Sequence, residues 1–246
     1  MHYNPIYYWQ ELKRRQATLS NYAVFMLGLM LVALLLHFLD DRIIRDVPVW
    51  VKPIKFMAAT IVMSLTTAWF IPLLPVQWRN HSQTQWMVRI LIFSSGFEVF
   101  YISWQAALGQ ASHYNNTSVF YMAMYALMGI MAVVLTATQG WLGWKIYKTK
   151  THTFSTYELA VVQGLLLTFV LTVINGFLLG GQQPQAGMGV PLLGWHLAGA
   201  DLRPAHFLSV HAEQIIPWAG FLLLHFTNQT KAKIYLYVIA TLYVLL

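Results

Sequence analysis

Seven apolar runs, parted by short polar or Gly/Pro-rich turns, constrain this chain more than any other feature. They fall near residues 21–39, 54–74, 86–108, 118–140, 156–180, 204–226 and 232–246. Each approaches or reaches the roughly 20 residues that an α-helix needs to cross hydrocarbon. Inside lipid every backbone polar group has to be bonded without water, so the turns mark where the chain leaves the bilayer. The expected fold is all-α: a polytopic membrane bundle of seven transmembrane helices, one domain over residues 1–246.

Composition agrees. Only 9% of the residues are charged and 58% are hydrophobic, against about one-quarter charged in soluble domains. The 10 Trp and 13 Tyr suit membrane–water interfaces. Cys is absent, which excludes disulfides, thiolate metal sites and a Cys nucleophile. A net charge of +7 would fit a nucleic-acid partner if the cations were clustered. They sit instead in the loops between apolar runs, so membrane lipids are the expected partner and nucleic acid is not.

Those loops also set an orientation. With a cytoplasmic N-terminus, the inner segments hold Lys13, Arg14, Arg15, Arg79, Lys145, Lys148, Lys150, Lys231 and Lys233. The outer segments hold Arg42, Arg45, Lys52, Lys55 and Arg203, nearly cancelled by Asp40, Asp41, Asp46 and Asp201. This positive-inside pattern puts the C-terminus outside. No small-residue cleavage site precedes Asp40-Asp41, so the first span reads as a retained anchor rather than a signal peptide.

Ionisable groups within spans are costly and point to a site. The sixth span opens Asp201-Leu-Arg-Pro-Ala-His206, with Pro204 in the first turn and Asp201 placed to cap it. With His206 at zero on a helical wheel, Glu213 falls near −20°, Gln214 at about 80° and His211 at about 140°. Pro217 frees the carbonyl of Glu213 and predicts a kink just below this cluster. On the third span Ser94, Glu98, Tyr101 and Gln105 share one side, while Arg89 points away and can snorkel to the inner end. That stripe leads outward to Gly109-Gln-Ala-Ser-His113-Tyr-Asn-Asn116. Lys55 lies about one turn into the second span, within reach of an acidic partner or an anionic headgroup. His37 closes the first span, and His196 sits in the long connection from 181 to 203, a candidate lid. Ser155 and Glu158 form a capping box that opens the fifth span. His81 and His152 read as ordinary loop residues, and the Asn115 and Asn116 glycosylation matches as chance.

Three segments carry a resemblance: Trp50-Val-Lys-Pro-Ile-Lys-Phe56, Gln105-Ala-Ala-Leu-Gly-Gln-Ala-Ser-His-Tyr-Asn115, and Asp201-Leu-Arg-Pro-Ala-His-Phe-Leu-Ser-Val-His-Ala-Glu-Gln214. Together they resemble an uncharacterised family of bacterial multi-pass membrane proteins. The resemblance runs from the second span through the sixth and implies the bacterial cytoplasmic (inner) membrane. Members often carry a His after the fifth span, where this chain has Gln-Gln-Pro-Gln. It also implies that the motif residues form one working unit.

Three functions are open. The first is a metal-dependent membrane enzyme, hydrolase or oxidoreductase, acting on a lipid or other hydrophobic substrate at the outer leaflet. Its candidate ligands for zinc, iron or copper are His113, His206, His211 and Glu98, with Glu98, Lys55, Asp201, Arg203 and Gln214 as catalytic candidates. The i,i+5 spacing of His206 and His211 spreads them by about 140° on an ideal helix, so joint ligation requires a distorted helix start. The second is a haem b protein linked to quinone. His211 and His225 lie fourteen residues apart on one face, about 20 Å, with His37 or His113 as the opposing ligand. The third is a proton-coupled transporter or membrane sensor using Glu98 and Glu213, although no inverted repeat or broken-helix pair is visible in the sequence.

Overall fold

A computed structural model describes residues 4–183, 185–186, 189–190, 194–196 and 201–245. Its order begins with α1 (Pro5–Arg15), a helix the apolar runs do not announce. Asn4 caps it by accepting the Ile6 N–H, Pro5 fits the first turn, and Lys13, Arg14 and Arg15 suit its C-terminal end. Hydrogen bonds from Arg14, joined by Arg15, hold the Glu11 carboxyl down at about 2. Arg15 also donates to the Trp69 carbonyl and lies 3.9 Å from that ring's centre.

α2 (Ala17–Leu39) is followed by a small hairpin, β1 (Ile43–Ile44) against β2 (Val47–Pro48). Its two turn residues, Arg45 and Asp46, have φ of 54° and 64°, the sign required of a tight two-residue hairpin turn. Asp40 anchors the hairpin's base, accepting from Arg42 Nη2 at 2.7 Å and from the Trp50 indole at 2.8 Å. α3 (Val51–Phe70) runs on through a 3-10 turn over Ile71–Leu73. Then come α4 (Val76–Arg79), α5 (Ser82–Ala107) and α6 (Val119–Thr149). α7 (Thr156–Gly180) opens on the anticipated capping box, Ser155 with Glu158. α8 (Arg203–Val210), α9 (Ala212–Phe226) and α10 (Gln229–Val244) complete the order.

Among the described residues, five helices are long and apolar enough to cross a membrane: α2, α3 with its 3-10 turn, α5, α6 and α7. The α8–α9 pair, bent by 63°, raises the total to six if it is one span. The seventh run forms a helix of 16 residues, α10, shorter than the other candidates. Its last residue, 246, lies outside the described residues.

Contacts divide the chain into two compact units, each drawn from three stretches. The first takes Met1–Trp69, Val88–Leu135 and Gln183–Asp201; the second takes Phe70–Met87, Thr136–Gln182 and Leu202–Leu246. In the first unit, Met26 and Ala33 of α2 pack with Met57 of α3, Val99 and Ala106 of α5, and Trp50. In the second, α7 and α9 meet closely because two glycines carry no side chain. A Cβ on Gly164 would lie 2.9 Å from the Ala212 carbonyl oxygen and 3.0 Å from Pro217 Cδ. One on Gly220 would lie 2.5 Å from Ala160 Cβ. Leu236 and Tyr243 of α10 complete that core with Ala160, Leu171, Ala212 and Ile216.

The bend departs from the expected place. Pro217 lies inside α9, and the break falls six residues earlier at His211, whose φ and ψ are −96° and 9°. There the Gln214 and Ile215 N–H groups both donate to the His211 carbonyl at 3.0 Å. The Glu213 N–H leaves the helix ladder for Thr168 Oγ1 of α7 at 2.8 Å. The neighbouring helix thus supplies the hydrogen bond that makes the break affordable, while Gly164 accommodates the proline ring. Pro217's own missing N–H does not set the bend.

Candidate functional site

In the first unit, the α5 stripe turns inward. Ser94, Glu98, Tyr101 and Gln105 are all buried, with Gln105 fully so. Ser94 satisfies itself on the Ile90 carbonyl at 2.6 Å, as small hydroxyls do in helices. The other three do not. Glu98 Oε1, Tyr101 Oη and both amide atoms of Gln105 are buried without a hydrogen-bond partner among the described residues. Buried polar groups are nearly always bonded, so a run of such atoms along one stripe marks a place built to receive something polar.

The facing cation is Lys52, not Lys55. The Lys52 ammonium donates to Ser112 Oγ at 2.8 Å and to His113 Nδ1 at 3.0 Å. Nδ1 is thereby the acceptor, which leaves the His113 proton on Nε2. The His113 ring packs between Phe56 and Tyr125, with centroids 6.4 and 5.5 Å away. Lys52 also feels the charges of Glu98, Lys55 and Arg45. Lys55 itself is exposed. Its place follows from the helix wheel of α3. The buried residues Met57, Thr60, Ser64, Thr67 and Ala68 define one face, and Lys55 lies on the opposite side while Lys52 borders it. Lys52 is the functional candidate that the sequence reading passed over, and that buried small-polar stripe is the signal that identifies it.

Nearby, Asn115 is buried and bound into its loop. Its amide donates to the Ala111 carbonyl at 3.3 Å, and its oxygen accepts from Thr117 Oγ1 at 2.7 Å. His37 is half-buried with Nδ1 unpartnered. Asp201 does not cap the sixth span: it accepts the His196 N–H at 2.8 Å, and Leu202 occupies the cap position without a side-chain bond. The proposed lid, 181–203, lies partly outside the described residues.

An apolar groove of about 580 Å³ also belongs to this unit, lined by Tyr22, Phe25 and Leu36 of α2 and by Gly96, Val99 and Ser103 of α5. On α5 these positions fall on the side away from Glu98 and Gln105. An acyl chain lying there would not meet the polar stripe.

In the second unit, His206 lies against Gly176 of α7, where a Cβ would stand 3.6 Å from its ring. Its Nδ1 is buried and has no hydrogen-bond partner among the described residues. His211 sits at the break, its ring 4.3 Å from that of Phe207. Its Nδ1 donates to Gln214 Oε1 at 3.1 Å, and Gln214 Nε2 donates to Glu213 Oε1 at 2.9 Å. Glu213 is fully buried, and its Oε2 has no partner among the described residues. Arg203 is half-buried in the first turn of α8, and His225 is exposed near the end of α9.

The expected metal ligands therefore fall two to a unit, Glu98 with His113 and His206 with His211. Among the described residues no three His, Asp or Glu side chains are grouped to hold a metal ion. Fold and site define a class: a multi-pass helical membrane protein with ionisable side chains buried inside its spans. Comparison with known protein families, curated proteins and solved structures gives no match. The resemblance of the three segments rests on their own residues.

Proposed function

We propose that the chain is a seven-span bacterial inner-membrane protein, N-terminus in the cytoplasm, that carries a small anion together with a proton. The observation behind this reading is the α5 stripe of Glu98, Tyr101 and Gln105, without partners among the described residues, beside the half-buried Lys52. Lys52 is the cation that acts on Glu98, so a guest able to replace Glu98 as its counter-charge is an anion. Gln105 and Tyr101 offer it N–H and O–H donors.

Charge balance supplies the coupling. Net charge inside a low-dielectric region is expensive. Empty, Lys52 and Glu98 balance each other. An arriving anion pairs with Lys52, and Glu98 restores neutrality by taking one proton. The cost is lowest when anion and proton enter and leave together. The break in α8–α9 belongs to the same picture, since helices interrupted within the bilayer recur in carriers. A metal-dependent lipid enzyme fits less well, because the apolar groove lies away from the polar stripe and no three ligating side chains are grouped among the described residues.

The test uses the purified full chain in detergent with acetate, nitrate and inorganic phosphate as probes. One of them should raise thermal stability, with an affinity that increases about tenfold per unit fall in pH while one proton is bound per anion. Glu98→Gln should bind without that pH dependence, and Lys52→Ala should not bind. Absence of binding by every probe between pH 5 and 8 would overturn the reading.

A further inference from the structure

We infer that the second unit contains a proton path of its own, running from His206 to Glu213 along the seam between α7 and α8–α9. It stands on residues separate from the anion site and does not depend on that reading.

The seam is a ladder. At one end Thr168 accepts the Glu213 N–H at 2.8 Å; at the other Gly176 lies against His206. Thr172 sits midway between them on α7, four residues from each, and therefore on the same face. Opposite it, Ser209 lies three residues from His206 and four from Glu213. Asn175 Nδ2 holds the Ser209 hydroxyl at 2.7 Å, and Ser209 donates to the Ala205 carbonyl at 2.8 Å. An imidazole, two hydroxyls and a carboxyl thus follow one another along a single buried line.

Three atoms on that line lack hydrogen-bond partners among the described residues: His206 Nδ1, Thr172 Oγ1 and Glu213 Oε2. Thr172 is 5% exposed and Glu213 is 0% exposed. A purely structural seam would pair such groups with one another, as Asn175 pairs with Ser209. Groups left open at both ends and the middle are suited to passing a proton instead. Imidazolium at His206 releases it, the hydroxyls of Ser209 and Thr172 hand it on directly or through single bridging waters, and the Glu213 carboxylate receives it. Only N–H and O–H bonds are exchanged, and each hydroxyl ends as it began. Glu213 is also joined through Gln214 to His211 at the helix break.

One fixed charge stands at the start of the line: Arg203, in the first turn of α8 and three residues before His206. The other titratable groups on the packed elements are Tyr157 and Glu158, the latter bound to Lys150, at the start of α7; His211 and His225 at the break and on α9; and Lys231, Lys233, Tyr235, Tyr237 and Tyr243 on α10. Of these, Tyr243 is committed to the Leu208 carbonyl, and the Glu213 carboxyl accepts from Gln214.

The experiment places the full-length protein in vesicles containing trapped pyranine and imposes an inside-negative potassium diffusion potential with valinomycin. Wild type should acidify the lumen faster than protein-free vesicles. Glu213→Gln and Thr172→Val should fall to the protein-free rate, whereas Thr172→Ser, which keeps the hydroxyl, should retain flux. Glu98→Gln should also retain it while losing the pH dependence of anion binding, so the two proposals fail separately. Monodisperse elution of each variant guards against misfolding. No wild-type flux, or equal flux in wild type, Glu213→Gln and Thr172→Val, would overturn the path.

Discussion

Two lysines three residues apart, Lys52 and Lys55, differ in fate because one helix turn separates a wet face from a buried one. Both belong to the same motif, and proximity to the span alone favoured Lys55 as the deeper residue. The buried face of α3 was nonetheless readable, since Thr60, Ser64 and Thr67 recur at helical spacing within an apolar run. What could not be read was the partner of Lys52, because Ser112 and His113 lie 60 residues away along a loop. Asp40 gives the residue-scale prediction. Hydrogen bonds from Arg42 and from the Trp50 indole hold its carboxyl below the usual carboxylate range. A depressed folded value means stability that is present above the unfolded value of about 3.9 and is lost as pH falls towards the folded one. Asp40→Asn should therefore lower the melting temperature at pH 7, and the gap from wild type should narrow progressively below about pH 4. Melts at pH 7 and pH 3 decide it; an equal gap at both would remove Asp40 from the acid response.

At the scale of elements, apolar run length located the spans well where a sharp chemical stop coincided with the helix end. The fifth run, 156–180, has the bounds of α7 because a capping box starts it and a glycine ends it. The fourth was read as ending at Gly140, yet α6 continues to Thr149. Its extra turns are amphipathic interface: Lys145 lies 3.2 Å from the Trp78 ring centre and within 6.0 Å of Trp141, and such residues leave hydrocarbon without leaving the helix. The hairpin over 43–48 carried no Asn-Gly signal, so nothing local announced it. The break at His211 was likewise hidden, because its cause is a hydroxyl on another helix. Close packing of α7 on α9 makes the prediction here. Gly164→Ala would put a methyl group 2.9 Å from a backbone carbonyl and should cost about 1–3 kcal/mol. Gly28→Ala on α2 meets nothing within 4 Å and should be neutral or stabilising by about 0.5–1 kcal/mol. Reversible denaturation in mixed micelles compares the two; a Gly164→Ala variant as stable as wild type would mean that α9 can shift away freely.

For the whole molecule the deciding quantity is parity: with the N-terminus in the cytoplasm, as proposed, six spans return the C-terminus there and seven place it outside. Length alone argues for six: α10 has 16 residues, about 24 Å at 1.5 Å per residue, against roughly 30 Å of hydrocarbon. Its contacts argue the other way. Gln229, the first residue of α10, takes the hydroxyl and N–H of Thr156 where α7 begins. Leu236 faces Gly220 in mid-α9, and the Tyr243 hydroxyl donates to the Leu208 carbonyl at 2.5 Å. Next to Leu208, Ser209 is held by Asn175, near the far end of α7. α10 thus starts beside the beginning of one span and finishes almost level with its end, which an interfacial helix could not do. Lys231 and Lys233 sit at its start, on the side where the basic loops collect, as the positive-inside bias requires of an outward-running helix. A small deficit in length is met by local bilayer thinning at modest cost. We therefore expect a C-terminal alkaline phosphatase fusion to be active and a C-terminal green fluorescent protein fusion to be dark, with the reverse pattern when either is fused after Lys150. A fluorescent C-terminal fusion would leave six spans, with α10 on the cytoplasmic surface.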